Sequence, residues 1–271
     1  MEILQFKFFQ FAIIGSLLAS IACGIIGTYI VTRRLVFISG GLTHASFGGI
    51  GIGLYSGFSP LISAAIFSVL SAFGVEWLTK RKDTREDSAI AIFWTFGMAV
   101  GVIFTFLAPG FTPELSTYLF GNILTISQVD LIMLGTLSVA LIAFFSLFIH
   151  PIISISFDRE FSLSQGLPVH FFEYTLMLFI ALTIVACLHM VGIVLVISLL
   201  TIPQMTANLF TNSFIKIIFS SIAIGFVGCL GGLFLSYLLH VPSGASIIFF
   251  SILIYVSCKL LKTIQLKKII K

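Results

Sequence analysis

The chain has 271 residues, of which 59% are hydrophobic and only 9% charged, with a mean hydropathy of +1.19. A soluble domain of this length has no core large enough for so much apolar surface, so the solvent must be lipid and soluble classes are excluded. The net charge of +4 matters through its placement, at Arg33-Arg34, at KRKDTR (80–85) and in the tail from Lys259 to Lys271, with Arg159 and Lys216 isolated.

Nine apolar runs approach the ~20 residues needed to cross a hydrocarbon core: 8–31, 37–57, 60–78, 88–107, 128–149, 170–188, 190–209, 214–238 and 244–261. The first is too long for the apolar part of a cleavable signal peptide and has only Lys7 before it, so it reads as a span. An all-α polytopic membrane fold of eight to nine spans follows, as one domain over 1–271. The positive-inside rule sets the N-terminus outside and the C-terminus in the cytoplasm, with the basic clusters inside and only Lys7 outside. The basic tail beside a span is an orientation signal and not a nucleic-acid site. Tight turns punctuate the runs, as at Gly57-Phe58-Ser59-Pro60, and Pro242 precedes the last. Residues 109–127 read as an amphipathic outer segment.

The second run is unusual. FISGGLTHASFGGIGIG (37–53) carries six glycines and His44. Gly41, Ala45, Gly49 and Gly53 recur every fourth residue, a stripe along which another helix can approach closely. The neighbouring row is Gly40, His44, Gly48 and Ile52. At ~1.5 Å per residue His44 lies about a dozen Å in from Arg33-Arg34, near mid-membrane. An intramembrane histidine is a functional candidate, while packing against a neighbouring carbonyl is the bland alternative. His150 and His170 fall at inner span ends as boundary residues; His189 and His240 fall at outer ends, where an entrance or a plain surface role fits either.

Residues 157–169 (FDREFSLSQGLPV) form a short charged stretch between spans. Ser156 or Asp158 can cap a short helix there, and Gly166 followed by Pro168 ends it. This is either a connecting loop or a helix that docks a soluble partner. The cysteines at 23, 187, 229 and 258 each stand alone in an apolar run, without metal-ligand spacing, and read as small apolar fillers. No GxxxxGK[ST] phosphate loop, HExxH or GxSxG occurs. Ser46, two residues from His44, lies on a different helix face and forms no nucleophile–base pair. An enzymatic role is not expected.

Four segments in order, GGLTHASFGG (40–49), LSTYLFGNILTIS (115–127), FDREFSLSQG (157–166) and VGIVLVISLLTIPQMTAN (191–208) followed by VPSGASII (241–248), resemble the permease subunit of the ABC-type zinc/manganese/iron uptake systems. The resemblance spans essentially the whole chain. It implies a homodimer in a bacterial or archaeal plasma membrane, driven by a cytoplasmic ATPase dimer and fed by an extracytoplasmic metal-binding protein. It also implies no tightly bound cofactor, the divalent metal being cargo. His44 matches the family's histidine on the metal path. Asp158, Arg159, Glu160 and Gly166 match its ATPase-coupling segment. The family often has an acid where this chain has Gly40, and an aspartate where it has His240. The donor set thereby shifts from oxygen toward imidazole, which suits zinc, then iron, over manganese. The alternatives are a permease for a metal chelate such as a siderophore or cobalamin, and a non-transporting membrane enzyme or scaffold.

Overall fold

A computed structural model describes residues 6–80, 84–109 and 123–269. The described chain is helical throughout: α1 (Lys7–Thr32), α2 (Val36–Ser56), α3 (Pro60–Lys80), α4 (Glu86–Leu107), a 3₁₀ turn at Ile123–Thr125, α5 (Gln128–Phe157), α6 (Arg159–Ser164), α7 (Val169–Val191), α8 (Ile193–Leu199), α9 (Ile202–Asn208), α10 (Phe214–Leu239) and α11 (Ser243–Ile269). Seven of these, α1, α3, α4, α5, α7, α10 and α11, are long and apolar enough to cross a membrane. The helix α2 has 21 residues, about 31 Å at the standard rise, but its glycines and His44 dilute its apolarity. Most of the segment 109–127 lies outside the described residues.

The run 190–209 is not one continuous span. It divides into α8 and α9 at Leu200-Thr201, where Thr201 leaves helical geometry at φ −129°, ψ −53° and Pro203 opens the next helix. Buried Gln204 bridges the break, its Nε2 donating to the Leu199 carbonyl at 3.1 Å and to the Cys23 carbonyl of α1 at 2.7 Å. In lipid an irregular stretch persists only where protein satisfies its polar backbone, and Gln204 does that here. The helix α5 runs past the expected end at 149 to Phe157, with Pro151 inside it and non-helical φ/ψ at Phe148. Proline removes one backbone bond and crowds the preceding turn, so the helix kinks there rather than ending.

Small residues set the packing directions. The helices α2 and α3 form an antiparallel hairpin, a side-chain carbon on Gly49 or Gly53 meeting the α3 backbone at Ala64 (2.6 Å) and Pro60 (2.8 Å) respectively. The helices α2 and α4 run parallel, Gly97 seated on the backbone of Ala45 and Gly101 on Phe47. Likewise α10 lies antiparallel to α1 and to α11, through Gly24 with Ile222, Ser20 with Gly225, and Gly232 with Ile247. The most enclosed spans are α7 and α1, while α4, α5 and α11 present most of their surface outward. Phe106, Leu147 and Leu260 are among the exposed apolar side chains there, as expected of a lipid-facing surface. Hydroxyls inside spans bond back one turn, as Ser16 to Ala12, Ser20 to Ser16 and Thr28 to Gly24, each at 2.7 Å. Such bonds satisfy these donors in hydrocarbon, whereas the buried hydroxyls of Ser68, Thr183, Ser198 and Ser251 have no hydrogen-bond partner among the described residues.

Candidate functional site on the glycine-histidine helix and its charged end

The stripe expected to meet one partner helix is shared between two. Gly41 and Ala45 face α4 at Ile90 and Gly97, whereas Gly49 and Gly53 face α3. The adjacent row is roomier at its N-terminal end, for a side-chain carbon on Gly40 would meet only Trp94 at 3.7 Å and Ile197 of α8 at 3.8 Å. Here His44, partly buried, lies flat on Trp94, ring centroids 4.7 Å apart and planes 5° from parallel. Its Nδ1 is enclosed and has no hydrogen-bond partner. The bland alternative, an imidazole bonded through that nitrogen to a neighbouring carbonyl, is therefore not what the fold builds. Stacking holds the ring by its face and leaves the single in-plane lone pair of the neutral imidazole to another ligand.

The other histidines occupy distinct settings. His150 is exposed within α5, and His170 is exposed at the start of α7 with Nδ1 3.7 Å from Glu173. His240 caps the C-terminus of α10 in a left-handed conformation, φ 54° and ψ 41°, and is exposed. The backbone of His189 lies near the end of α7. Among the described residues no three His, Cys, Asp or Glu side chains converge to hold a metal ion. Cys23 and Cys187, lone in sequence, meet in the fold with Sγ atoms 3.7 Å apart in the buried core.

The segment 157–169 folds as the short helix α6. Asp158 caps it, Oδ1 accepting from the Phe161 N–H at 2.9 Å, and Gly166 leaves it at φ 75°. Glu160 points outward, its side chain 84% exposed. Arg159 turns inward instead. Its Nε donates to Oε1 of Glu173 at 2.8 Å and Nη2 to Oε2 at 3.4 Å, a two-pronged guanidinium–carboxylate contact. That hydrogen bond to Glu173 raises the Arg159 pKa above its ordinary value.

Glu173 itself, only 4% exposed, was silent in the sequence. Around it stand Arg33 from the end of α1 at 3.7 Å and Lys80 from the end of α3 at 3.6 Å. Arg33 also donates to the Ile155 carbonyl of α5 at 3.0 Å, and Lys80 pairs with Glu76 at 3.1 Å and covers the Tyr174 ring at 4.0 Å. The ends of α1, α3 and α5, the start of α7 and all of α6 thus gather at one end of the bundle. Arg33, Lys80 and Arg159, three of the basic residues read from the sequence as lying on one side, do share that end.

The sequence profile of the ABC 3 transport family matches residues 5–262. The chain belongs to that family. It is a multi-pass membrane permease subunit of an ABC transporter and not itself a catalyst. An uncharacterized membrane protein of Synechocystis sp. is 39% identical to the permease over 254 residues, covering 94% of this chain and 90% of the relative. The manganese transport system membrane protein MntC of Halalkalibacterium halodurans is 32% identical over 247 residues, 91% of this chain and 85% of the relative. Among solved structures, PsaBC from Streptococcus pneumoniae in complex with Fab superimposes with a TM-score of 0.84 at 28% identity, covering 95% of this chain and 92% of that one.

Proposed function

We propose that the permease imports a divalent transition-metal ion, working as a homodimer with a cytoplasmic ATPase pair and an extracytoplasmic metal-binding protein. The observation that carries this reading is the unpartnered Nδ1 of His44 on a glycine-lined helix deep in the bundle. A buried ring nitrogen without a partner is costly unless a ligand visits it. The naming of relatives such as MntC as manganese transporters supports the cargo class. With no three-residue site formed within one chain among the described residues, the cation rests on few donors at a time, as passage requires; a closed cage would retain it. Two copies of His44 across a dimer axis would double the donor set.

The charged end of the bundle is taken as cytoplasmic, which places α6 against the ATPase and the N-terminus outside. Asp158, Arg159, Glu160 and Gly166 then shape the docking element, and its displacement during ATP binding rocks the spans between outward and inward access. His189 and His240 are assigned to the outer entrance, secondary to His44.

Zinc is favoured over manganese by donor chemistry, since imidazole is present and the row one turn before it holds Gly40 in place of a carboxylate. The manganese named for MntC supports the second reading. The test is uptake by proteoliposomes holding the full complex, native against His44→Ala, with zinc, iron and manganese compared. Loss of uptake with assembly and basal ATP hydrolysis retained is expected, and the ion moved fastest names the cargo. Unchanged uptake would return this helix to a packing role.

A further inference from the structure

Four elements of this fold meet at a single buried carboxylate. Glu173 stands near the start of α7; Arg159 comes from α6, Arg33 from the end of α1 and Lys80 from the end of α3. Three cations around one enclosed anion make an unequal arrangement. Removing the carboxylate would leave three positive groups facing one another, with Glu76 close to Lys80 and the exposed Glu160 close to Arg159. Removing any one cation leaves the others paired. The Arg159 contact is also the tightest of the three, and it is the one made by the short surface helix.

We propose that Glu173 is the transmission residue of the permease. A displacement of α6 is carried through the Arg159–Glu173 pair to α7, and through Arg33 and Lys80 to the inner ends of α1 and α3, so that these ends move as one body. A flexible loop carrying the same docking groups would yield without moving a span; a guanidinium held at two oxygens of a buried carboxylate resists both sliding and rotation. The location suits the role because buried pairs are screened far less by salt than surface ones. Glu173 is thus a positioning residue for transport, acting on the spans and not on the cargo.

This inference rests on the reading of α6 as the ATPase-docking helix, and the experiment separates the two. The full complex of permease, ATPase and binding protein is reconstituted with native chain, Glu173→Gln or Arg159→Gln. Manganese and zinc ions moved per ATP hydrolysed are then counted. Glu173→Gln, which lies outside the docking element, is expected to co-purify with the ATPase and hydrolyse ATP, and in both variants ions moved per ATP fall tenfold or more. A ratio that stays native in either variant overturns the proposal. Should Glu173→Gln fail to fold, Arg159→Gln decides alone, because it severs only the α6 arm of the cluster. Docking is checked independently with Glu160→Cys, which is expected to cross-link to the ATPase. Failure of that cross-link with a reduced ion ratio in the variants overturns the docking reading while leaving Glu173 needed for coupling; failure of both overturns both.

Discussion

His44 and Trp94 lie face to face, their ring centroids 4.7 Å apart and their planes within 5°. The contact joins α2 to α4, two helices that run parallel and are held close by Gly97 on Ala45. Stacking fixes the plane in which the imidazole can offer a lone pair. An aromatic pair of this kind is worth about 0.5–1.5 kcal/mol beyond burial, roughly 2- to 10-fold in an equilibrium. Trp94→Ala is therefore expected to weaken metal uptake at limiting ion concentration by about that factor, while Trp94→Phe, which keeps a ring face, retains most of it. Initial uptake rates against metal concentration in proteoliposomes check this, and native behaviour of Trp94→Ala would show that the stack orients nothing.

Glycines on this helix pair are not equivalent, and two alanine substitutions should separate them. A side-chain carbon on Gly97 would come within 2.5 Å of the Ala45 Cα and 2.6 Å of its carbonyl oxygen, both backbone atoms that cannot step aside. Gly97→Ala is expected to force α2 and α4 apart at a cost of about 1–3 kcal/mol. Gly40→Ala meets nothing closer than 3.7 Å and should fold as the native chain does. Thermal unfolding in detergent distinguishes them. Equal stability of the two variants would contradict the packing described.

These two glycines also show how far the sequence could be read. Apolar run length and the Gly-x-x-x-Gly spacing expose the spans and one sticky helix face, because both are local properties of consecutive residues. Spacing does not say which neighbour a glycine meets, so a stripe expected to contact one helix divides between α3 and α4. The break after Leu200 was hidden for a related reason: hydropathy averages over VGIVLVISLLTIPQMTAN and reports one run, although Pro203 and Gln204 carry the signal of an interruption. His44 was legible as an isolated polar residue in an apolar helix. Glu173 was not, since its meaning depends on Arg33, Lys80 and Arg159 arriving from positions up to 140 residues distant in the chain.

Gln204 offers a test of that interruption. Its Nε2 is the donor to both the Leu199 and the Cys23 carbonyls at the junction of α8 and α9. Gln204→Leu keeps the bulk and removes the donor, so two buried carbonyls lose their contact with it. The expected cost is about 1–3 kcal/mol, the penalty of unsatisfied polar groups shut away from water. A lowered unfolding temperature with a folded starting state is the predicted result, and an unchanged one would mean that the backbone closes the gap without the side chain.

Asp158 and Glu160 sit two residues apart, yet the structure gives them different work. Asp158 caps α6 through the Phe161 N–H, whereas Glu160 makes an exposed contact with Arg159 at 3.3 Å and otherwise projects into solvent. Asparagine caps a helix about as well as aspartate, and alanine loses about 1 kcal/mol at such a position. If the cap is what α6 needs from Asp158, Asp158→Asn keeps ATPase stimulation by the loaded binding protein and Asp158→Ala loses part of it. Charge reversal at Glu160 leaves the cap and the Arg159–Glu173 pair intact, so Glu160→Arg should fold normally and still lower stimulated hydrolysis severalfold through the partner surface. Stimulated hydrolysis measured across the three variants assigns the roles. Loss in Asp158→Asn equal to that in Asp158→Ala would make the Asp158 charge part of the contact, and a native response of Glu160→Arg would remove Glu160 from it.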